Sequence, residues 1–136
     1  MTYFLKMHGL GNDFIIFDWR DGGPATVSEA AARALADRRT GIGCDQILVI
    51  RPSDRADIRM DILNPDGSPS GACGNGTRCV ADLVMESGMG PGTDRPLTIE
   101  TDGADLRAWR AGADISVDMG PVATGWADVP LAHAAD

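Results

Sequence analysis

The segment from Gly71 to Cys79 reads GACGNGTRC and runs directly into the helical pattern of residues 80–86. It places the thiol of Cys73 at the N-terminus of a helix, with glycines on both sides. The first N–H groups of a helix have no intrahelical partner, and the macrodipole adds about half a positive charge there. We therefore expect the Cys73 thiol to ionise more readily than an ordinary cysteine, and an anionic group to bind the amides beside it.

Length and charge restrict the class of protein. A chain of 136 residues is long enough for one domain with a hydrophobic core. The net charge of −8 argues against nucleic acid as the main partner, since phosphate binding requires a basic surface. The longest aliphatic run, residues 47–50, is too short to span a bilayer, and charged residues interrupt the N-terminal segment where a signal peptide would be apolar. We predict a cytoplasmic protein without membrane contact.

The cysteines and the single lysine restrict which cofactors the protein could use. Three cysteines without a CxxC pair suggest neither a disulfide framework nor a zinc site, so we predict no metal. The single lysine, Lys6, lies in a strand-like segment, which argues against pyridoxal chemistry because that cofactor requires a Schiff-base lysine. No GxxxxGK[ST] phosphate loop is present. The sequence predicts chemistry without a cofactor.

The hydrophobic pattern predicts an α+β fold. Strand-like patterns cover residues 3–7, 13–18, 46–51, 57–64, 96–101, 105–110 and 115–119. The first two strands are separated by a predicted loop over residues 8–12, and the turn Asn64–Gly67 follows the fourth. The tail over residues 121–136, rich in Ala, Pro, Gly and Asp, is predicted to be a linker.

Two helices are predicted between these strands. Thr26 and Glu29 have the spacing of a capping box, which would open a helix that stops near Gly41. The second helix begins after Cys73 and is expected to end at Gly88, a plausible C-cap. Its predicted apolar side consists of Val80, Leu83 and Val84.

The other polar and sulfur-containing residues have ordinary structural explanations when each is taken alone. Cys79, about 240° around the helix from Cys73 and about 9 Å along it, is predicted to be a packing residue. Cys44 is predicted to be a buried thiol that leads into a strand. His8 is predicted to be a loop or packing residue, and Asp66 a turn former. Asn12, Gln46 and Asn64 lie at loop or strand-end positions, where such residues either support turns or contact a ligand.

Three motifs together resemble the diaminopimelate epimerase family. Residues 6–14 (KMHGLGNDF) look like its opening motif, residues 41–46 (GIGCDQ) like its second, and residues 64–67 (NPDG) through 73–79 (CGNGTRC) like its third. They occur in the family's order and spacing and cover the chain to about Met119. The resemblance implies a mixed or antiparallel sheet wrapped around a central helix.

The resemblance also implies an activity and a set of site residues. The family interconverts LL- and meso-diaminopimelate without pyridoxal, in lysine and peptidoglycan precursor synthesis, by proton transfer between two cysteines and the α-carbon. By that resemblance Cys73 is one catalytic thiol. The substrate-binding residues that it implies are Asn12, Gln46, Asn64, Gly74 and Asn75. The expected partner is a small-molecule substrate, and a homodimer is compatible with this assignment.

The sequence departs from the family pattern at two points. Position 44 is commonly a large apolar residue in the family, and here it is Cys44. The family also has two similar domains, and the second supplies the second catalytic cysteine. The resemblance therefore implies that residues 1–120 are an N-terminal epimerase domain. Residues 121–136 would then be an interdomain linker or the start of a second domain, and the chain alone would be inactive.

Other functions also fit parts of the pattern. A cysteine phosphatase loop needs five residues between its cysteine and arginine, whereas four separate Cys73 from Arg78. Another cofactor-independent cysteine racemase, of the proline racemase type, has closer chemistry but lacks the opening motif of residues 6–14. A domain that binds an anion without turnover is the third alternative.

Overall fold

Strands that adjoin in the sequence also adjoin in the sheet. The computed structural model describes residues 2–88, 90–92, 94–125 and 128. The strands in this part of the chain are β1 (Leu5–Gly9), β2 (Asn12–Asp18), β3 (Gln46–Arg51), β4 (Ile58–Leu63), β5 (Leu97–Glu100), β6 (Asp105–Ala111) and β7 (Asp114–Asp118). Neighbouring strands are antiparallel, except that the β2–β3 and β4–β5 pairs are parallel. The helices that the structure describes are α1 (Glu29–Ala36) and α2 (Gly74–Glu86).

The sheet curls around α2, as predicted. Helix α2 packs against β1 and β2 at one end of the strand order and against β6 and β7 at the other. Successive side chains of a strand point to opposite faces. Phe14 and Ile16 of β2 accordingly join the core around α2, whereas Ile15 and Phe17 join a smaller core against α1. Burial of each such side chain stabilises the fold by about 1.5–3 kcal/mol.

Most predicted boundaries are confirmed within two residues. Strand β3 covers the predicted residues 46–51, and β4 alternates as expected, with Ile58, Met60 and Ile62 buried. The N–H of Gly67 donates to the carbonyl of Asn64 at 2.9 Å and closes the predicted turn. Helix α2 ends at Glu86, with Ser87 as its C-cap and Gly88 following at a φ of 69°.

The prediction of a loop over residues 8–12 is wrong. These residues form a tight hairpin whose two turn residues, Leu10 and Gly11, have φ values of 56° and 85°. His8 and Asn12 therefore belong to β1 and β2. Two-residue hairpins favour turns with positive φ because their twist matches that of the flanking strands.

The predicted ends of α1 are also wrong. Ser28 caps the helix instead of Thr26, since its hydroxyl accepts the N–H of Ala31 at 3.2 Å. The helix ends at Ala36, before Gly41. The carboxylate of Asp37 accepts the N–H groups of Arg39 and Thr40 at 2.7 Å each, which provides these groups with a non-helical partner.

Two further predictions concern membranes and the tail. In the described ranges, neither helix combines the length and the apolar character that crossing a bilayer requires. The predicted linker over residues 121–136 lies largely outside the residues that the structure describes.

Candidate active site

Three amide side chains lie at one end of the sheet. Asn12 begins β2, Gln46 begins β3, and Asn64 follows β4, which runs antiparallel to β3. Strand direction therefore brings these three residues to the same end. Asn12 and Gln46 each precede an apolar residue by two positions (Phe14 and Leu48), and Asn64 follows Ile62 by two positions. These three apolar residues belong to the core around α2. The period of a strand thus places the three amides on the face that packs against α2.

The N-terminus of α2 presents a thiol at this end. Cys73 is the N-cap residue, with an extended backbone (φ −155°, ψ 99°), and its Sγ accepts the N–H of Gly76 at 3.3 Å. A Cβ on Gly76 would lie 3.0 Å from Leu48 Cδ1 and 3.2 Å from Cys73 Sγ, so a side chain there would displace the thiol or the core. Because Gly76 has no side chain, the N-terminus of α2 can pack closely against both the Cys73 thiol and Leu48.

Two backbone amides beside the thiol remain available. Gly76 donates its N–H to Cys73 Sγ, and Thr77 donates its N–H to the Cys73 carbonyl at 2.9 Å. Among the described residues, the N–H groups of Gly74 and Asn75 have no such acceptor. Unpaired N–H groups at the positive end of a helix dipole favour the binding of an anion, and a carboxylate group is such an anion.

The structure brings Asn12, Cys73 and Asn75 together. The Oδ1 atom of Asn12 lies 3.9 Å from Cys73 Sγ and accepts from Asn75 Nδ2 at 3.4 Å. Asn12 Nδ2 donates to Asp45 Oδ2 at 2.9 Å. The contacts of Asn12 with Cys73 and Asn75 join β2 to the beginning of α2, and its bond to Asp45 joins β2 to the segment before β3.

Gln46 and Asn64 form a second pair. Gln46 Nε2 donates to Asn64 Oδ1 at 3.3 Å, and Asn64 Nδ2 donates to the Ser68 hydroxyl at 3.1 Å. That hydroxyl donates to Asp66 Oδ1 at 2.6 Å, and this bond holds the pKa of Asp66 below its usual range. Asp66 also accepts the Ser68 N–H at 2.9 Å, which confirms its predicted role in the turn.

All six predicted site residues are half-buried. Sequence reasoning missed two residues that bond to members of this set, Asp45 to Asn12 and Ser68 to Asn64. Both lie close in the sequence to a predicted site residue. Asp45 immediately precedes Gln46, and Ser68 follows Asn64 by four positions. Short-range spacing was the available signal, but polar residues in turns are too common to make it specific.

The other two thiols are packing residues, as predicted. Cys79 is 5% exposed and Cys44 is 3% exposed. Burial raises the pKa of each thiol. Cys79 belongs to the core around α2 and Cys44 to the core against α1. His8 lies in a strand, where its Nδ1 accepts the N–H of Gly11 at 3.3 Å and supports the hairpin turn.

A family model described as diaminopimelate epimerase matches residues 4–124. The chain belongs to the diaminopimelate epimerase family. It is 54% identical over 137 residues to the diaminopimelate epimerase of Rhodospirillum centenum, covering 98% of this chain and 45% of that protein. With the diaminopimelate epimerase of Acidiphilium cryptum the identity is 51% over 135 residues, covering 98% of this chain and 47% of the relative. The chain spans about half the length of these curated relatives.

Solved structures of other proteins have the same fold. A probable proline racemase from Agrobacterium radiobacter superposes with a TM-score of 0.62 at 21% identity, over 79% of this chain and 37% of that one. A methylitaconate-delta-isomerase superposes with a TM-score of 0.63 at 15% identity, over 79% of this chain and 33% of that one. At these identities the likeness establishes the fold, which is the diaminopimelate-epimerase-like α+β domain predicted from the sequence.

Proposed function

We propose that this domain supplies one of the two acid–base groups of a cofactor-independent epimerase that acts on diaminopimelate. The observation that carries the proposal is the half-buried Cys73 thiol beside the unpaired N–H groups of Gly74 and Asn75. Family membership supports the choice of reaction, and the names of the relatives support the choice of substrate. The reaction would serve lysine and peptidoglycan precursor synthesis in the cytoplasm.

The proposed step is removal of the α-proton by the Cys73 thiolate. The α C–H bond breaks, an S–H bond forms, and the electron pair moves onto the adjacent carboxylate. That carboxylate gains charge in the transition state, when the amides of Gly74 and Asn75 would stabilise it most. A second acid on the opposite face of the α-carbon then donates a proton and completes the inversion.

The second acid is proposed to lie outside the described part of this chain. Cys79 is on α2 but buried in the core, and Cys44 is buried on the other face of the sheet. Neither thiol is placed to meet the opposite side of a substrate held at Cys73. We infer that the segment present in the relatives but unmatched here supplies it, and that residues 1–120 act as the first domain of the enzyme.

The amide cluster would recognise the rest of the substrate. Asn12, Gln46 and Asn64 offer carbonyl and amide groups on the face beside the helix end. Neutral amides bind ammonium and carboxylate groups without introducing a competing charge. We propose that these three side chains contact the substrate and thereby set the choice of amino acid.

The test joins this chain to the half of the Rhodospirillum centenum epimerase that it does not match. The fusion and the chain alone are incubated with LL-diaminopimelate in D₂O. Deuteration at the α-carbon is followed by NMR, and meso product is followed by chiral chromatography. We expect both signals from the fusion and background from the chain alone, because a positioned acid or base contributes about 10²–10⁴-fold.

Three results would contradict the proposal. Robust meso product from the 136-residue chain alone would mean that a second base lies within it, with Cys44 the first candidate. A folded fusion that turns over proline instead of diaminopimelate would favour the racemase alternative. A folded fusion that binds diaminopimelate without turning it over would favour the anion-binding alternative.

A further inference from the structure

The side chains of Asn12 and Asn75 form the middle of a longer hydrogen-bonded chain. Asn75 Nδ2 donates to Asn12 Oδ1 at 3.4 Å, and Asn12 Nδ2 donates to Asp45 Oδ2 at 2.9 Å. At the other end, Arg78 Nη2 donates to Asn75 Oδ1. The chain therefore runs from a guanidinium, through two amides, to a carboxylate.

The charged ends fix the orientation of both amides. A guanidinium has donors only, so Asn75 must turn its oxygen toward Arg78. An ionised carboxylate has acceptors only, so Asn12 must turn its nitrogen toward Asp45. The remaining groups, Asn75 Nδ2 and Asn12 Oδ1, then meet as donor and acceptor. Reversal of either amide would leave two mismatched contacts.

The carboxylate end is itself anchored. Asp45 Oδ1 accepts from Arg38 Nη2 at 2.9 Å, and Asp45 Oδ2 also accepts the N–H of Asp13 at 3.0 Å. The bond from Asn12, followed by that from the Asp13 N–H, holds the pKa of Asp45 below its usual range. Asp45 therefore stays charged at neutral pH and continues to require a donor from Asn12.

The guanidinium end projects from α2. Arg78 lies one helical turn after Asn75, where side chains three residues apart face each other. Among the described residues, Arg78 has no ion pair with a carboxylate. Its recorded side-chain bond goes to Asn75.

We propose that Asp45 and Arg78 are positioning residues that lock the amides of Asn12 and Asn75, so that Asn12 presents its oxygen to the Cys73 sulfur. The 3.9 Å contact then lets the thiol donate to Asn12 Oδ1, while the Gly76 N–H supports the thiolate. The sulfur thus has one partner for each of its protonation states. The catalytic meaning of this arrangement rests on the proposed function, but the orientation itself does not.

The test measures alkylation of Cys73 by iodoacetamide at pH 7, with peptide mapping, and needs no turnover. Asp45→Ala removes the acceptor that holds the Asn12 nitrogen, so a reversed Asn12 is mismatched only at Asn75 and can donate its NH₂ to the reactive sulfur. We expect the rate at Cys73 to rise about three- to tenfold, the range that one hydrogen bond is worth. The control is Asp105→Ala, which removes a carboxylate 2.7 Å from Arg55 Nη1 on an exposed surface. Its rate should match that of the parent.

A double-mutant cycle separates positioning from a general loosening of the fold. If Asp45 acts through Asn12, then Asp45→Ala changes nothing further once Asn12→Ala is present. A persistent effect in the Asn12→Ala background would overturn the proposal, and so would a folded Asp45→Ala variant that reacts at the parental rate.

A measurement on the parent chain and on Arg78→Ala covers the case in which Asp45→Ala does not fold. Side-chain NH₂ hydrogens of Asn12 and Asn75 should exchange with solvent more slowly than those of an exposed asparagine, because each donates a hydrogen bond. Arg78→Ala should speed exchange at Asn75 by releasing its oxygen. Exchange at the rate of a free side chain in the parent would overturn the proposal without bearing on epimerase activity.

Discussion

Two polar regions on opposite faces of the sheet satisfy their side chains in different ways. On the face away from α2, a charged cluster of Arg51, Arg59, Asp61, Glu100 and Asp102 pairs charge with charge. Asp61 accepts from Arg51 Nε at 2.7 Å and from Arg59 Nε at 2.8 Å. Arg59 also binds Glu100 at 2.9 Å and Asp102. The cluster leaves none of these five residues without an opposite charge.

The polar region beside α2 contains neutral groups instead of ion pairs. Its members are the neutral amides of Asn12, Gln46 and Asn64 and the thiol of Cys73, and the adjacent N–H groups of Gly74 and Asn75 lack an acceptor among the described residues. Because amides and unpaired N–H groups bind a charged ligand without first breaking an ion pair, this region suits recognition. The charged cluster therefore satisfies its own charges within the fold, whereas we propose that the amide region binds a substrate.

The largest effect is expected when one thiol is removed from each of the two environments on α2. In the fusion enzyme, Cys73→Ala should lower turnover about 10²–10⁴-fold, since it removes a positioned base. Cys79→Ser should leave turnover near the parental value and lower the free energy of unfolding, since it places a hydroxyl in the core. Initial rates and urea unfolding would measure the two effects. A Cys73→Ala enzyme that works at a near-native rate would disprove the assigned role.

A substitution in the charged cluster should lower stability and leave turnover nearly unchanged. Arg59→Met leaves Asp61, Glu100 and Asp102 with fewer donors, and we expect the free energy of unfolding to fall by about 1–3 kcal/mol. Turnover of the folded fusion should change less than twofold. A loss of turnover that exceeds the loss of stability would show that the two regions are coupled, contrary to the comparison.

A smaller effect is expected at Asp57, which joins β4 to β5. Its carboxylate accepts from Arg95 Nη2 at 2.7 Å and from the Thr98 N–H at 2.8 Å, and the Arg95 bond holds its pKa well below the model-peptide value of 3.8. Stability from this group is therefore complete above pH 3.8 and is lost as pH falls toward the lower folded-state pKa.

Asp57→Asn should thus lower the free energy of unfolding by about 1 kcal/mol at pH 7. The difference from the parent should narrow as pH falls below 3.8, because the parent loses the same contribution there. Urea unfolding at pH 7 and pH 3 measures this convergence. A constant difference at both pH values would mean that Asp57 acts through shape instead of charge.

The elements with a strong local pattern could be predicted from the sequence. The unbroken apolar run of β3 and the alternation of β4 fix those strands, and the glycines around Cys73 fix the start of α2. The start of α1 could not be fixed, because Thr26 and Ser28 both precede the helical pattern and tertiary packing decides between them. The tight turn at Leu10 was missed because a leucine with positive φ has no sequence signature.

The candidate site, too, could be predicted from the sequence only in part. The resemblance assigns six residues to the site, and the structure places Asn12, Cys73 and Asn75 in one group and Gln46 with Asn64 in another. It named neither Asp45 nor Ser68, which act by orienting an amide across 33 positions for Asn12 and 4 for Asn64. Such orientation depends on strand register and turn geometry, which a pattern of residue types does not specify.

The proposed role of Cys73 requires that its position set this thiol apart from the other two. The most direct measurement is competitive labelling of the folded 136-residue chain with substoichiometric iodoacetamide at pH 7, followed by peptide mapping. Cys73 is half-buried at a helix end, whereas burial raises the pKa of Cys44 and Cys79. We predict that Cys73 takes up label first and that the other two react only on unfolding. Earlier labelling of Cys44 or Cys79 in the folded chain would contradict the proposed role of Cys73.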